Sequence, residues 1–197
     1  MKLLTVFFLL AIILPASATS LRPLTLEQLS SRATLIFHAE VVNNEVREDL
    51  QSSQVVTLTT FRVLELIKGQ VNGEDGRTHT IKQLGGTMAG GRQRLMVHGI
   101  PDFVPGRQYV LFLPAPSRLG FSSPLGLHQG SFTVSENNGT KFVSNGHVLN
   151  SNPNSVPAEA GQGSHSLPLA VTPDRQTQAT LRNFMDTLRS LQQSPLP

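Results

Sequence analysis

Cysteine and tryptophan are absent from these 197 residues, tyrosine occurs once, and charged residues make up only 15% of the chain. Without cysteine there is no disulfide framework, no thiolate nucleophile, no Cys-ligated zinc and no lipid-anchoring thiol. Packing alone must hold the fold. Lysine and arginine number 16 against 13 aspartates and glutamates, and no basic run is interleaved with aromatics. The sequence therefore gives nucleic-acid binding little support. Long apolar runs are also missing, with one exception at the start. Lys2 is followed by an apolar stretch over residues 3–14, broken only by Thr5, and then by Pro15-Ala16-Ser17-Ala18. That order is the order of a secretory signal with a small-residue cleavage site, and the stretch falls short of the roughly 20 apolar residues that a membrane span needs. The expectation is an exported protein, periplasmic or secreted, that begins at Thr19 after cleavage and has no membrane span in its mature form. Loss of Lys2 leaves 15 cations against 13 anions, a net charge of +2.

The order of elements is legible along residues 24–113. Thr25 followed three positions later by Gln28 has the form of a capping box. It predicts a short helix ending near Arg32, with Leu26 and Leu29 toward the core. Residues 34–42 are dense in apolar and β-branched side chains and predict a largely buried strand. The polar residues 43–53 predict a loop or a flared hairpin end. Residues 54–67 form the longest strand candidate, closed by Lys68-Gly69. Its apolar parity changes part-way, Val56 and Leu58 sharing one face and Phe61 and Val63 the other, and a bulge near Thr59-Thr60 would reconcile them. Residues 78–84 alternate, with His79, Ile81 and Gln83 on one face. A glycine-rich loop over residues 85–91, a short strand over 92–97, a turn over 99–106 and a strand over 107–113 complete the series. Short strands at this spacing, with little helix between them, predict a small closed β-barrel.

The last third reads differently. Asn138-Gly139 between residues 131–135 and 141–144 is a strong hairpin signal, and Asn138-Gly139-Thr140 also fits a glycosylation sequon. Residues 145–171 are rich in Ser, Asn, Pro and Gly and predict a flexible linker. A helix over 172–193 is expected next, with Thr172 as N-cap and Pro173 in the first helical position. Leu181, Phe184, Met185, Leu188 and Leu191 form one apolar stripe on it. The stripe either packs on the barrel or docks a partner. The resulting domain plan is a signal (1–18), a barrel domain (19–144), a linker (145–171) and an amphipathic helix (172–193).

The segments SSRATLIFHAEVV, VLELIKG, HTIKQLGGTMAGG and GRQYVLFL together resemble the netrin-like module, the OB-type barrel of the tissue inhibitors of metalloproteinases. Ala33 to Val42, Phe61 to Gly69 and Gly106 to Leu113 occupy the places of that module's strand motifs. The chain is also similar, over residues 24–143, to a group of exported bacterial proteins of uncharacterised function. They share the Gly85-Gly86 loop, the turn from Gly99 to Gly106 and the strand from Gly126 to Val134. The resemblance implies a mainly β, OB-type closed barrel flanked by a short N-terminal helix and a C-terminal amphipathic helix. In the inhibitors a disulfide-tied N-terminal cysteine chelates the protease zinc. Here Thr19 takes that place without the tie, so the inhibitory chemistry is assigned to no residue.

No catalytic constellation stands out. The histidines, His38, His79, His98, His128, His147 and His165, show neither H-x-H nor H-E-x-x-H spacing, so neither a metal nor a cofactor is expected. His38 lies in the first strand and reads as a packed or rim residue. The 85–91 loop lacks the Gly-Lys-Ser/Thr ending of a P-loop, no G-x-S-x-G elbow occurs, and the carboxylates are isolated or lie in a polar loop. The expected function is a non-catalytic binding module for another exported protein, a secreted protease being one candidate. The alternatives are an envelope structural or assembly factor working through linker and helix, and an enzyme with a dispersed site. Loops and barrel ends carry recognition in such folds, so Gly85, Gly86, Gly90, Gly91, Arg92, Arg94, Asp102 and Phe103 are the candidate binding residues. Loop-based binding should survive deletion of residues 172–197, whereas a docking helix should not.

Overall fold

The computed structural model describes residues 23–88, 94–97, 99–146 and 179–193. The predicted signal, the predicted linker, and Thr172 and Pro173 lie outside them, apart from Asn145 and Gly146 at the linker's start. Helix α1 (Leu26–Arg32) opens on the capping box: Gln28 N–H donates to Thr25 Oγ1, and Thr25 N–H donates to Gln28 Oε1. Strands β1 (Leu35–Asp49) and β2 (Gln54–Lys68) form a long hairpin. Residues 43–49, expected as a loop or flared hairpin end, belong to β1 as the end of that hairpin, because Gln54 to Thr60 supply their backbone partners while Asn43, Glu45, Arg47 and Glu48 stay exposed.

The expected bulge does not fall at Thr59-Thr60; the β1–β2 ladder is instead irregular at three other places, two of them on β2, at Leu64 and Ile67. β2 pairs with β3 (Thr78–Leu84) in unbroken register from Val56 to Arg62, so Thr59-Thr60 carries no extra residue. Opposite Thr60 and Phe61 the extra residue is Val42 of β1, left between the pairs Val41–Phe61 and Asn43–Thr60. Thr59, with a hydroxyl small enough to bury, shares the inward face with Phe61, and Leu58 turns to the half-buried face.

Short strands β4 (Gly86–Thr87) and β5 (Arg94–Leu95) pair separately. β6 (Gln108–Leu113) lies against β1, followed by a 3-10 turn (Leu127–Gly130), β7 (Ser131–Asn137) and β8 (Thr140–Ser144). The β7–β8 turn places Asn138 and Gly139 at positive φ, as a tight hairpin of the predicted kind requires. β9 (Ala179–Thr180) adds to β8 and runs directly into α2 (Leu181–Gln193). The helix thus starts at Leu181 rather than at Thr172, since Ala179 and Thr180 are taken into the sheet and Asn183 N–H donates to Thr180 Oγ1.

All seven main strands form one antiparallel sheet in the order β3-β2-β1-β6-β7-β8-β9. Among the described residues the ladder is open, and β3 and β9 do not pair with each other, so the expected closed barrel is not what the hydrogen bonds describe. The edges explain why. The Asn72 side chain bonds both Thr80 N–H and Thr80 C=O, Asp75 accepts from Thr78 N–H, Gly73 N–H donates to Thr78 C=O, and Ser122 N–H donates to Lys82 C=O. The 72–75 loop and Ser122 have between them already satisfied the outer edge of β3. β9, at the other margin, is two residues long.

The centre of the sheet is covered on both sides, which is why β6 reads as a continuous apolar run rather than an alternating one. On one face Ile36, Val110, Phe112, Phe132 and Val143 meet Leu29 of α1 and Phe184, Met185 and Leu188 of α2. On the other, Phe37, Phe61, Phe103 and Tyr109 form a chain of rings with Ile81 and Leu111. Three successive contacts in that chain, Phe37–Phe61, Phe61–Phe103 and Phe103–Tyr109, are edge-to-face at 5.8, 5.1 and 5.1 Å, the favoured aromatic geometry.

Candidate functional site

The structure draws part of the predicted loop surface together around β1. Val46 lies against Gly86, where an added Cβ would stand 2.7 Å from Val46 Cγ1. Two residues earlier on the same strand face, Asn44 Nδ2 donates to Phe103 C=O at 2.6 Å. The Gly85 loop and the 99–106 turn are therefore fixed to one segment. Gly85 is itself held to β2, its N–H donating to Val55 C=O and its C=O accepting from Thr57 Oγ1. Phe103 is only 5% exposed and sits in the ring chain, so its side chain is a structural anchor. On either side of it Asp102 and Val104 are exposed, Val104 at 44%. On the other loop Arg94 pairs with Thr87 through the backbone and Met96 is 66% exposed. Gly90, Gly91 and Arg92 lie outside the described residues.

His79 belongs to the interior. Its ring packs at a tilt against Phe37, 5.4 Å between centroids, and its Nδ1 accepts Asn72 N–H, so the neutral ring carries its proton on Nε2. Burial pushes its pKa down to about 4. The unfolded chain binds this proton near pH 6.5 and the folded chain does not, so stability is complete above pH 6.5 and falls as the pH drops toward 4. The loss should reach up to about 3 kcal/mol at the acid end. Urea denaturation at pH 7.5, 5.5 and 4.5 should show the midpoint fall with pH, and His79→Gln should flatten most of that slope. An unaltered slope in the variant would remove His79 from this role. Among the described residues no group of three or more His, Asp or Glu is placed to hold a metal ion.

A second constellation, not among the sequence candidates, lies on the helix-covered face. There α2 and β8 flank a cleft of about 730 Å³ whose lining includes His38, Glu65, Lys141, Arg182, Met185 and Arg189. His38, 7% exposed, is in β1 beyond Ile36, on the face that meets the helices. Gln108 Oε1 lies 3.1 Å from Lys141 Nζ and 3.2 Å from His38 Nε2. An ammonium can only donate, which fixes this atom as the amide oxygen and makes His38 Nε2 a donor too. Burial lowers the His38 pKa, and Lys141 pushes the same way against the Gln108 hydrogen bond and the Glu65 charge. The neutral ring thus keeps its lone pair on Nδ1. Arg189 bonds both Glu65 and Asp186 and is held between them.

The signal for this cleft was present in strand parity. On the helix-facing side, β1 runs Ile36, His38, Glu40; β6 runs Phe112, Val110, Gln108; β8 runs Val143, Lys141. In each strand the apolar series ends in a polar residue at the same margin of the sheet. On α2, Arg182, Met185, Asp186 and Arg189 recur at i, i+3, i+4 and i+7, one face of a helix. Only pairing tells which strands are neighbours, so the row assembles once β1, β6 and β8 are placed. No protein-family model matches the chain, and no curated protein matches it.

Proposed function

We propose that the chain is an exported, non-catalytic binding module that recognises another exported protein, a secreted protease being the first candidate. The observation that carries this reading is the convergence of two loops on the Asn44–Val46 segment, above a core of interlocked aromatic rings. A rigid scaffold that presents loops is how such folds build recognition surfaces. The chemically capable side chains are engaged in ways that suit binding better than proton transfer. His79 is buried against Phe37, His38 is tied to an amide, and Glu65 is held by Arg189. The same reading takes the open sheet as an OB-type, netrin-like arrangement. In its favour is the parallel bridge between Lys82 and Phe121, which returns the segment after β6 to β3. The signal-like residues 1–18 support export.

Residues 19–197, used as bait in the exported fraction of the native host, are expected to retain a metalloprotease and lower its activity. The double variant Asp102→Lys, Val104→Asp should retain it about tenfold less, the scale of losing one interface hot spot. Retention of envelope components alone would sink the protease reading and bring the assembly-factor reading forward.

A further inference from the structure

We infer that the cleft between the sheet and α2 is a carboxylate-binding site, built to take an aspartate or glutamate side chain of a bound protein. The inference rests on the binding-module reading only for the source of that carboxylate. Among the described residues, Lys141 and Arg182 line the cleft without an acidic group at ion-pair distance. Glu136 is opposite Lys141 in the β7–β8 ladder but is exposed and makes no ion pair with it. Arg189, by contrast, is spent on Glu65 and Asp186. The cleft therefore holds two available cations beside one that is neutralised twice over.

Lys141 is held in place. Its ammonium reaches across β7 to Gln108 on β6, and the buried His38 N–H fixes the far side of that same amide oxygen. His38 and Gln108 are thus positioning residues for a cation whose remaining protons are free for a ligand oxygen. The first turn of α2 borders the same space with Leu181 and Arg182, adding the positive end of a 13-residue helix. Met185 and Leu181 supply an apolar wall for the methylenes of an acidic side chain. The acidic groups in the lining choose between anions. Glu65 and Asp186 repel a dianion more than a monoanion, which favours a carboxylate over a phosphate.

The test uses isotope-labelled residues 19–197 titrated with the blocked tripeptide acetyl-Gly-Asp-Gly-amide, its Asn analogue and sodium phosphate. The amide resonances of Thr140, Lys141, Leu181 and Arg182 should shift saturably with the Asp peptide and stay still with the Asn analogue. Lys141→Gln and Arg182→Gln should each weaken the Asp peptide about tenfold, as loss of one charge-assisted hydrogen bond predicts. Arg47→Gln, on the distant arm of β1, should bind as the wild type does. Equal shifts with the Asn analogue, tighter binding of phosphate, or unchanged affinity in both lining variants would each overturn the assignment. Tripeptide binding in a chain that retains no exported protein would remove the module reading and leave the cleft intact.

Discussion

Gly69→Ala is expected to lower stability by about 2–5 kcal/mol, the sum of left-handed backbone strain and overpacking against main chain. Gly69 ends β2 with φ near +84°, and a Cβ there would lie 2.3 Å from Thr34 C=O and 3.2 Å from Leu35 Cα. Neither atom can withdraw cheaply. Thr34 N–H donates to Leu113 C=O, and Leu35 opens the β1–β6 ladder, so any retreat pulls at the central strand pair. Gly76→Ala is the matched control, since it also has positive φ but no atom within 4 Å of the new Cβ. It should cost only about 1 kcal/mol. Thermal unfolding should separate the two, with Gly69→Ala melting roughly 10 °C below the wild type. Equal losses would mean that strain alone, not the approach of Thr34, makes glycine necessary at the strand end.

Lys68-Gly69 was readable as a strand stop because glycine after a β-branched and apolar run is a local signal. The reason for it was not readable, since Thr34 lies 35 positions earlier in the chain. The same division runs through the fold. The Thr25–Gln28 box, the Asn138-Gly139 turn, the His79–Ile81–Gln83 face and the α2 stripe rest on neighbours within four residues, and each matches the structure. Barrel closure, the place of the bulge and the length of β1 depend on which strand lies alongside. There the local pattern misleads. Polar residues 43–49 were readable only as a loop or a flared hairpin end, and their backbone pairs with β2 throughout. Closure failed as an inference because Asn72, Gly73, Asp75 and Ser122 together occupy the edge of β3 that another strand would need. Of the predicted loop residues, Gly86 and the turn that carries Asp102 are brought to one segment of β1. The His38–Gln108–Lys141 row was missed because no spacing along one segment encodes a contact among three strands.

Phe184→Ala is expected to cost about 3–5 kcal/mol, the usual loss when a buried phenyl ring is removed. The ring is 3% exposed and lies 4.8 Å from Phe132 and 6.5 Å from Phe112, with Leu188 and Met185 buried beside it. The apolar stripe of α2 is thus spent on the sheet, and β9 ties the helix start to β8. A helix held in reserve for a partner would leave the urea midpoint unmoved by this substitution, so an unchanged midpoint would restore the docking alternative. The packing also changes what a deletion can teach. Removing residues 172–197 uncovers Ile36, Val110, Phe112 and Phe132 together, and loss of binding in that truncation would report a disrupted core rather than a lost contact. The discriminating variants are those on α2 that face the cleft or water. Arg182→Gln should leave the denaturation midpoint within about 0.5 kcal/mol of wild type, as exposed substitutions do, while still weakening a carboxylate ligand. Stability that follows Phe184 and ligand binding that follows Arg182 would place the two roles of α2 on opposite faces of one helix.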